Sequence, residues 1–207
     1  YHAEEAWTWE HMALTRARVV AGDPGFAAVV EQAIRDVLVA PRDPEKLRAD
    51  VVEMRDLIEQ EKGTKDPWNI KQVSGGLVDV EFVTQYLMLR HAPEAPTVLA
   101  TNTLTGIAAL AAAGLLDATT AEVLAPAMRL YQGLTQALRM ASDGAFMPKQ
   151  APRGLIDLLT RIGELPDFAH LEAHLVETEK AAHRVYEAVI GRARAKRGGD
   201  TTGTPAA

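Results

Sequence analysis

The sequence predicts an all-α protein, a helical bundle of about seven or eight helices, and three observations carry that reading. Aromatic residues make up 5% of the 207, while Ala and Leu abound, a balance that favours helix over sheet. Apolar positions recur at steps of three and four through long stretches, the period of a helix face. Asp-Pro pairs and glycines punctuate those stretches where helices start and stop.

Glu4 to Ala21 reads as the first helix, ended by Gly22. Asp23-Pro24 opens a second, with Asp as N-cap and Pro at the first helical position, running to about Val39. Asp43-Pro44 repeats the device, and Leu47, Val51, Met54 and Ile58 form one apolar stripe before Gly63. Residues 63 to 76 form a loop in which Trp68 to Val73 is a short extended candidate. Leu77 to His91 is helical, Ala92 to Pro96 interrupts, and Thr101 to Ala113 forms a further helix closed by Gly114. Thr119-Thr120-Ala121-Glu122 has capping-box spacing and opens a helix with Val123, Ala127, Leu130, Leu134 and Ala137 on one face. Pro126 is expected to kink it. Ser142 to Gln150 is a loop, and Pro152 to Ile162 a shorter helix. The last helix carries Phe168, Leu171, Leu175, Thr178, Ala182, Val185 and Val189 at alternating steps of three and four, a narrow packing seam. The expected organisation is one helical domain over 1–191, its first helix within 1–22, and a disordered tail over 192–207 rich in Arg, Gly and Thr.

Composition excludes several classes of function. Lys and Arg number 22 against 28 Asp and Glu, a formal net charge of −6. That balance argues against nonspecific nucleic-acid binding, which depends on cations meeting phosphates. With no cysteine, disulfides, thiolate zinc sites and Cys nucleophiles are ruled out, and a reducing compartment such as the cytoplasm suits the chain. No apolar run reaches the roughly 20 residues that span a bilayer, so no membrane partner is expected. The chain opens at Tyr1 without an initiator Met, as a piece of a longer protein would.

Chemistry concentrates in Lys71-Gln-Val-Ser-Gly75-Gly76-Leu-Val-Asp79-Val-Glu81-Phe82. Two glycines permit close backbone approach, and the helix that follows offers N–H groups able to face an anion, with Lys71 adding charge. The same residues also fit a tight turn into a helix with acidic groups in its first turn. Between Leu77 and Arg90, nine of fourteen residues are apolar and surround the axis, which marks a buried, central helix. Asp79 is then buried and needs a partner, for which Arg16 and Arg18 are the candidates. Asp79 and Glu81 diverge by about 200° on a helix, so the pair makes no metal site. His170 and His174 have ligand spacing but lack an adjacent Glu and a third ligand, as on a solvated helix face. Trp7 and Trp9 point different ways, so at least one packs in the core or against another domain.

The blocks Glu5-Ala-Trp7-Thr8-Trp9-Glu10-His11 through Arg16, Arg18 and Asp23, then Ile70-Lys71, then Gly75-Gly-Leu-Val-Asp79-Val-Glu81-Phe82, resemble the bacterial glutamine synthetase adenylyltransferases, also named glutamate–ammonia-ligase adenylyltransferases. The resemblance spans about residues 1 to 190. Proteins of this family carry two nucleotidyltransferase halves, each followed by a helical domain; one half transfers AMP from ATP to a tyrosine of glutamine synthetase and the other removes it by phosphorolysis. The Trp-rich opening resembles the adenylylating, carboxy-terminal half, so the resemblance implies the helical domain that follows that catalytic domain. The Gly-Ser and Asp-x-Asp catalytic motifs are absent here. The resemblance therefore implies ATP and Mg²⁺ for the full-length enzyme, none bound by this fragment, and no catalytic residue within it. The implied partners are the upstream nucleotidyltransferase domain, against which the first helix within 1–22 is expected to pack, glutamine synthetase and the PII signal protein. Candidate nucleotide-cleft or domain-interface residues are Lys71, Gly75, Gly76, Asp79, Glu81, Arg16 and Arg18. Two alternatives stay open: a stand-alone helical interaction module, and the helical domain of the related PII uridylyltransferase.

Overall fold

The computed structural model describes residues 6–141 and 144–191; the expected tail over 192–207 and the start of the expected first helix lie outside them. The described residues form eight α-helices and no strand. In order they are α1 (Thr8–Leu14), α2 (Pro24–Leu38), α3 (Pro44–Lys62), α4 (Leu77–His91), α5 (Thr103–Ala112), α6 (Ala118–Ala141), α7 (Arg153–Ile162) and α8 (Phe168–Val189). The all-α bundle is as the sequence predicts.

The Asp-Pro starts hold: the Asp23 carboxylate accepts from Phe26 N, and that of Asp43 from Glu45 N and Lys46 N. Helix α4 occupies the centre, packing on α1, α3, α5, α6 and α8. Ten of its residues, from Val78 to Leu89, are buried on every side of the axis. The core gathers around it from Tyr86, Met88, Ile107, Leu124, Tyr131 and Leu175.

Five expectations need correction. The first helix ends at Leu14 and not near Ala21. Its last turn tightens, Arg16 N and Ala17 N donating to the carbonyls three residues back, and the β-branched Val19 and Val20 that follow favour extended backbone. Trp68 to Val73 is a run of turns and not a strand, closed by Gln72 N and Val73 N donating to Asn69 O. The start of α6 is capped by Asp117, which accepts from Thr120 N at 2.9 Å, two residues before the capping box read from Thr119. The buried line of α8 is Leu171, Leu175, Glu179, Ala182 and Tyr186. It leaves the expected seam at Thr178 because a straight 3.6-residue helix drifts from a 3.5-residue repeat. The same drift on α3 buries Leu47, Val51 and Arg55 while Met54 stays half-buried. Helix α6 runs as one helix through Pro126, which is exposed.

Candidate functional site

The loop between α3 and α4 is pinned at two points, and its second anchor is the Gly75–Asp79 turn. At the first, Trp68 stacks on Phe168 with ring centroids 5.3 Å apart and meets Phe146 edge-on at 4.7 Å. Its indole N–H donates to Glu172 Oε1 at 3.2 Å. At the second, Gly75 adopts φ +80°, and a Cβ there would lie 1.8 Å from the backbone oxygen of Glu179 on α8. Only glycine fits such a place. Gly75 N donates to Asp79 Oδ2 at 2.6 Å, and Tyr131 Oη on α6 donates to Gly75 O at 2.8 Å. The turn thus ties α4, α6 and α8 together.

Asp79 is 1% exposed and fully partnered. Its Oδ1 accepts from Arg55 Nε on α3 at 2.5 Å, and Oδ2 lies 3.3 Å from His183 Nδ1 on α8. Arg55 also reaches Glu59 at 2.7 Å, and His183 Nε2 lies 3.3 Å from Glu187 Oε1. Burial alone would raise the Asp79 pKa; the His183 hydrogen bond, the Arg55 charge and the Gly75 N–H outweigh it and hold the carboxylate below its ordinary range. The hydrogen bond to Asp79 in turn raises His183. For Arg55, burial works against the charged form, and Asp79 more than offsets it. A cavity of about 170 Å³ opens over this cluster, lined by Arg55, Ser74, Asp79, His183, Tyr186 and Glu187 among others.

The expected burial and partnering of Asp79 are therefore observed, but the partners are Arg55, His183 and Gly75 N, not Arg16 or Arg18. Arg16 instead pairs with Glu81 across the α1–α4 contact. Arg18 lines a separate cavity of about 350 Å³ between α2 and residues 99–101. Lys71 is exposed and borders a third, of about 390 Å³, with Trp68, Arg139 and Phe146. The seven candidate residues are thus divided among several places. The leading N–H groups of α4 are already used: Gly76 N donates to Val73 O and Leu77 N to Ile70 O, both at 2.8 Å. Val78 N turns to Lys71 O at 3.4 Å. They are committed to the loop's own carbonyls and do not point at an open anion site.

Sequence reasoning missed Arg55, His183, Tyr131 and Glu179. Arg55 was detectable, since it stands four residues after Val51 on the apolar stripe of α3. Glu179 holds a core position on α8, 5% exposed, with one carboxylate oxygen unpartnered. Burial, with Asp66 adding to it, pushes its pKa up to about 8. His170 and His174 are exposed, as expected of a solvated face, and His170 joins the Asp167 cap. Trp7 and Trp9 are 71% and 54% exposed, so neither enters the core. Among the described residues no group of three or more His, Asp or Glu could hold a metal ion. No helix among them is long and apolar enough to cross a membrane.

Two family models divide the chain. Residues 46–188 match the model described as GlnD PII-uridylyltransferase, and residues 1–33 match that of glutamate-ammonia ligase adenylyltransferase. Curated relatives agree along nearly the whole chain. A bifunctional glutamine synthetase adenylyltransferase/adenylyl-removing enzyme of Rhodopseudomonas palustris (strain TIE-1) is 47% identical over 191 residues, covering 92% of this chain and 19% of that protein. Proteins of the same name from Xanthobacter autotrophicus and Rhizobium meliloti are 48% and 44% identical, over 92% and 93% of the chain and 19% and 20% of their own lengths. The chain spans about a fifth of the length of these relatives. Over residues 46–188 the chain belongs to the family that the PII-uridylyltransferase model describes, and from end to end of the region matched by the relatives it is a homologue of the bifunctional glutamine synthetase adenylyltransferases.

Proposed function

We propose that this chain is the helical domain following the adenylylating catalytic domain of a glutamine synthetase adenylyltransferase. The full-length enzyme would act in the cytoplasm, moving AMP from ATP to a tyrosine of glutamine synthetase under control of the PII protein, while its other half removes it by phosphorolysis. The observation that carries this reading is the 44–48% identity along more than nine-tenths of the chain to proteins so named. The described residues do not fit a Mg²⁺–ATP site: Asp79 is committed to Arg55 and Glu81 to Arg16. The metal, the nucleotide and the catalytic groups accordingly belong to the rest of the polypeptide, and this domain contributes position.

In this reading the seven candidate residues serve a domain junction. Gly75, Gly76 and Asp79 fix the loop and α4 in the bundle. Arg16 and Glu81 fix α1 against α4, and Lys71 and Arg18 stay available at the surface to neighbouring parts of the enzyme. The test uses full-length protein with labelled ATP, Mg²⁺ and glutamine synthetase, and label is expected on glutamine synthetase. Residues 1–207 alone are expected to transfer none. Transfer of UMP from UTP to PII, with no AMP transfer, would replace this reading by the uridylyltransferase alternative that the family model over 46–188 favours.

A further inference from the structure

Large exposed apolar residues gather at the front of the chain. Trp7, Trp9, Val20, Phe26 and Val29 are between 54% and 81% exposed, all before residue 34. Trp7 and Trp9 line a groove of about 480 Å³ with Met54 and Leu57. Helix α2 buries only Leu38 of its fifteen residues, although Phe26, Val29, Val30, Ala33 and Ile34 make it strongly apolar. It packs chiefly on α1 and faces the bundle across the 350 Å³ cavity. A helix so apolar and so exposed has a covered face in the complete protein.

Helix α1 turns one face to the bundle. Met12 and Thr15 are buried against the bundle, Thr8 Oγ1 donates to Asp50 on α3, and Arg16 holds Glu81 on α4. Trp7 and Trp9 flank that face, about 200° apart around the axis, and both border the groove toward Met54 and Leu57 of α3. The family models add an independent observation: the adenylyltransferase model covers 1–33, the other model begins at 46, and the change falls across the turn between α2 and α3. There the Arg42 guanidinium closes the end of α2, donating to the carbonyls of Val37, Leu38 and Ala40.

We propose that α1 and α2 are docked against the nucleotidyltransferase domain of the same polypeptide, whose apolar surface covers Trp7, Trp9, Phe26 and Val29, and that the domain junction is the turn at 39–43. This extends the docked segment from the first helix within 1–22, to which sequence reasoning confined it, through the whole of α2. Helix α1, seated on the bundle through Met12 and Thr15, then transmits the position of one body to the other. The inference rests on the chain being part of a longer adenylyltransferase.

The experiment places a photo-crosslinking benzoylphenylalanine at Val29 in the full-length protein, with exposed Leu158 on α7 as the control position. Irradiation is expected to join position 29 to the nucleotidyltransferase part of the same polypeptide, mapped by mass spectrometry, while position 158 does not reach it. Phe26→Asp is expected to lower the yield about fivefold or more, as loss of a buried interface anchor does. Slow hydrogen exchange over 77–91 verifies that the bundle stays folded; if Phe26→Asp disturbs it, Val20→Asp replaces it. No crosslink, a crosslink to a second copy, or one that requires added glutamine synthetase overturns the proposal. Crosslinking needs no turnover. A protein that crosslinks as expected yet transfers no AMP therefore sinks the functional reading and leaves the interface standing.

Discussion

Asp79 shows how much one buried carboxylate can organise. It answers a guanidinium, an imidazole and a backbone N–H from three different parts of the chain. Removing one member of such a set leaves the others buried and unpaired, which costs more than the contact itself contributed. Asp79→Ala is expected to lower unfolding free energy by about 3–5 kcal/mol, read as a fall in the urea midpoint at unchanged slope; a wild-type midpoint would refute its structural role. Glu179 makes the opposite case, a core carboxyl without a cation. It ionises near 8 when folded, against an ordinary value of 4.5. Between those values the folded state holds a proton that the unfolded chain has lost, so stability falls as pH rises across that window. His183, with its raised pKa, drifts the same way, so the comparison must be with Glu179→Gln. Wild type is expected to lose stability relative to that variant by on the order of 1 kcal/mol per pH unit between about pH 5 and 8. Parallel curves for the two proteins would place the Glu179 carboxyl in water.

Among the elements, what could be read in the sequence follows from where each signal is written. Helices α2, α3 and α4 were legible because their starts are local: Asp23-Pro24, Asp43-Pro44 and Gly75-Gly76 stand beside the turns they make. The central place of α4 was legible too, from apolar residues on all its sides. The extent of α1 was not, since Arg16 leaves the helix to meet Glu81, 65 positions later. Nor were the partners of Asp79, because Arg55 lies 24 residues before it and His183 104 after. The glycine pair was visible, but not its reason, which is the backbone of α8 at Glu179. That reason gives a test by contrast. Gly75 and Gly114 both have positive φ, yet a Cβ at Gly114 meets nothing within 4 Å. Gly114→Ala should cost about 1–2 kcal/mol for the backbone alone. Gly75→Ala must also push α8 away and should cost clearly more, about 3 kcal/mol or above. Equal losses in denaturant titrations would mean that the turn does not bear on α8.

For the whole molecule, the role proposed above is that of a bundle that holds its neighbours in place. Its interior is closed by apolar packing around α4, its polar cluster is satisfied from within, and five of its exposed large apolar residues, Trp7, Trp9, Val20, Phe26 and Val29, stand at the front. An element that must transmit position needs a defined seat on the bundle, and the Arg16–Glu81 pair supplies one between α1 and α4. Arg16 is 48% exposed and Glu81 18%, so the pair is screened by solvent and contributes at most about 1 kcal/mol to folding. Reversing it should therefore leave thermal unfolding nearly unchanged. Arg16→Glu sets two carboxylates against each other and lifts α1 from its seat, which in the full-length enzyme should slow AMP transfer several-fold. Adding Glu81→Arg restores opposite charges and should restore the rate, a recovery that a general loss of stability would not show. If the single and double variants transfer AMP at the wild-type rate while folding normally, α1 carries no positional information between the domains. The pair is then only a surface contact.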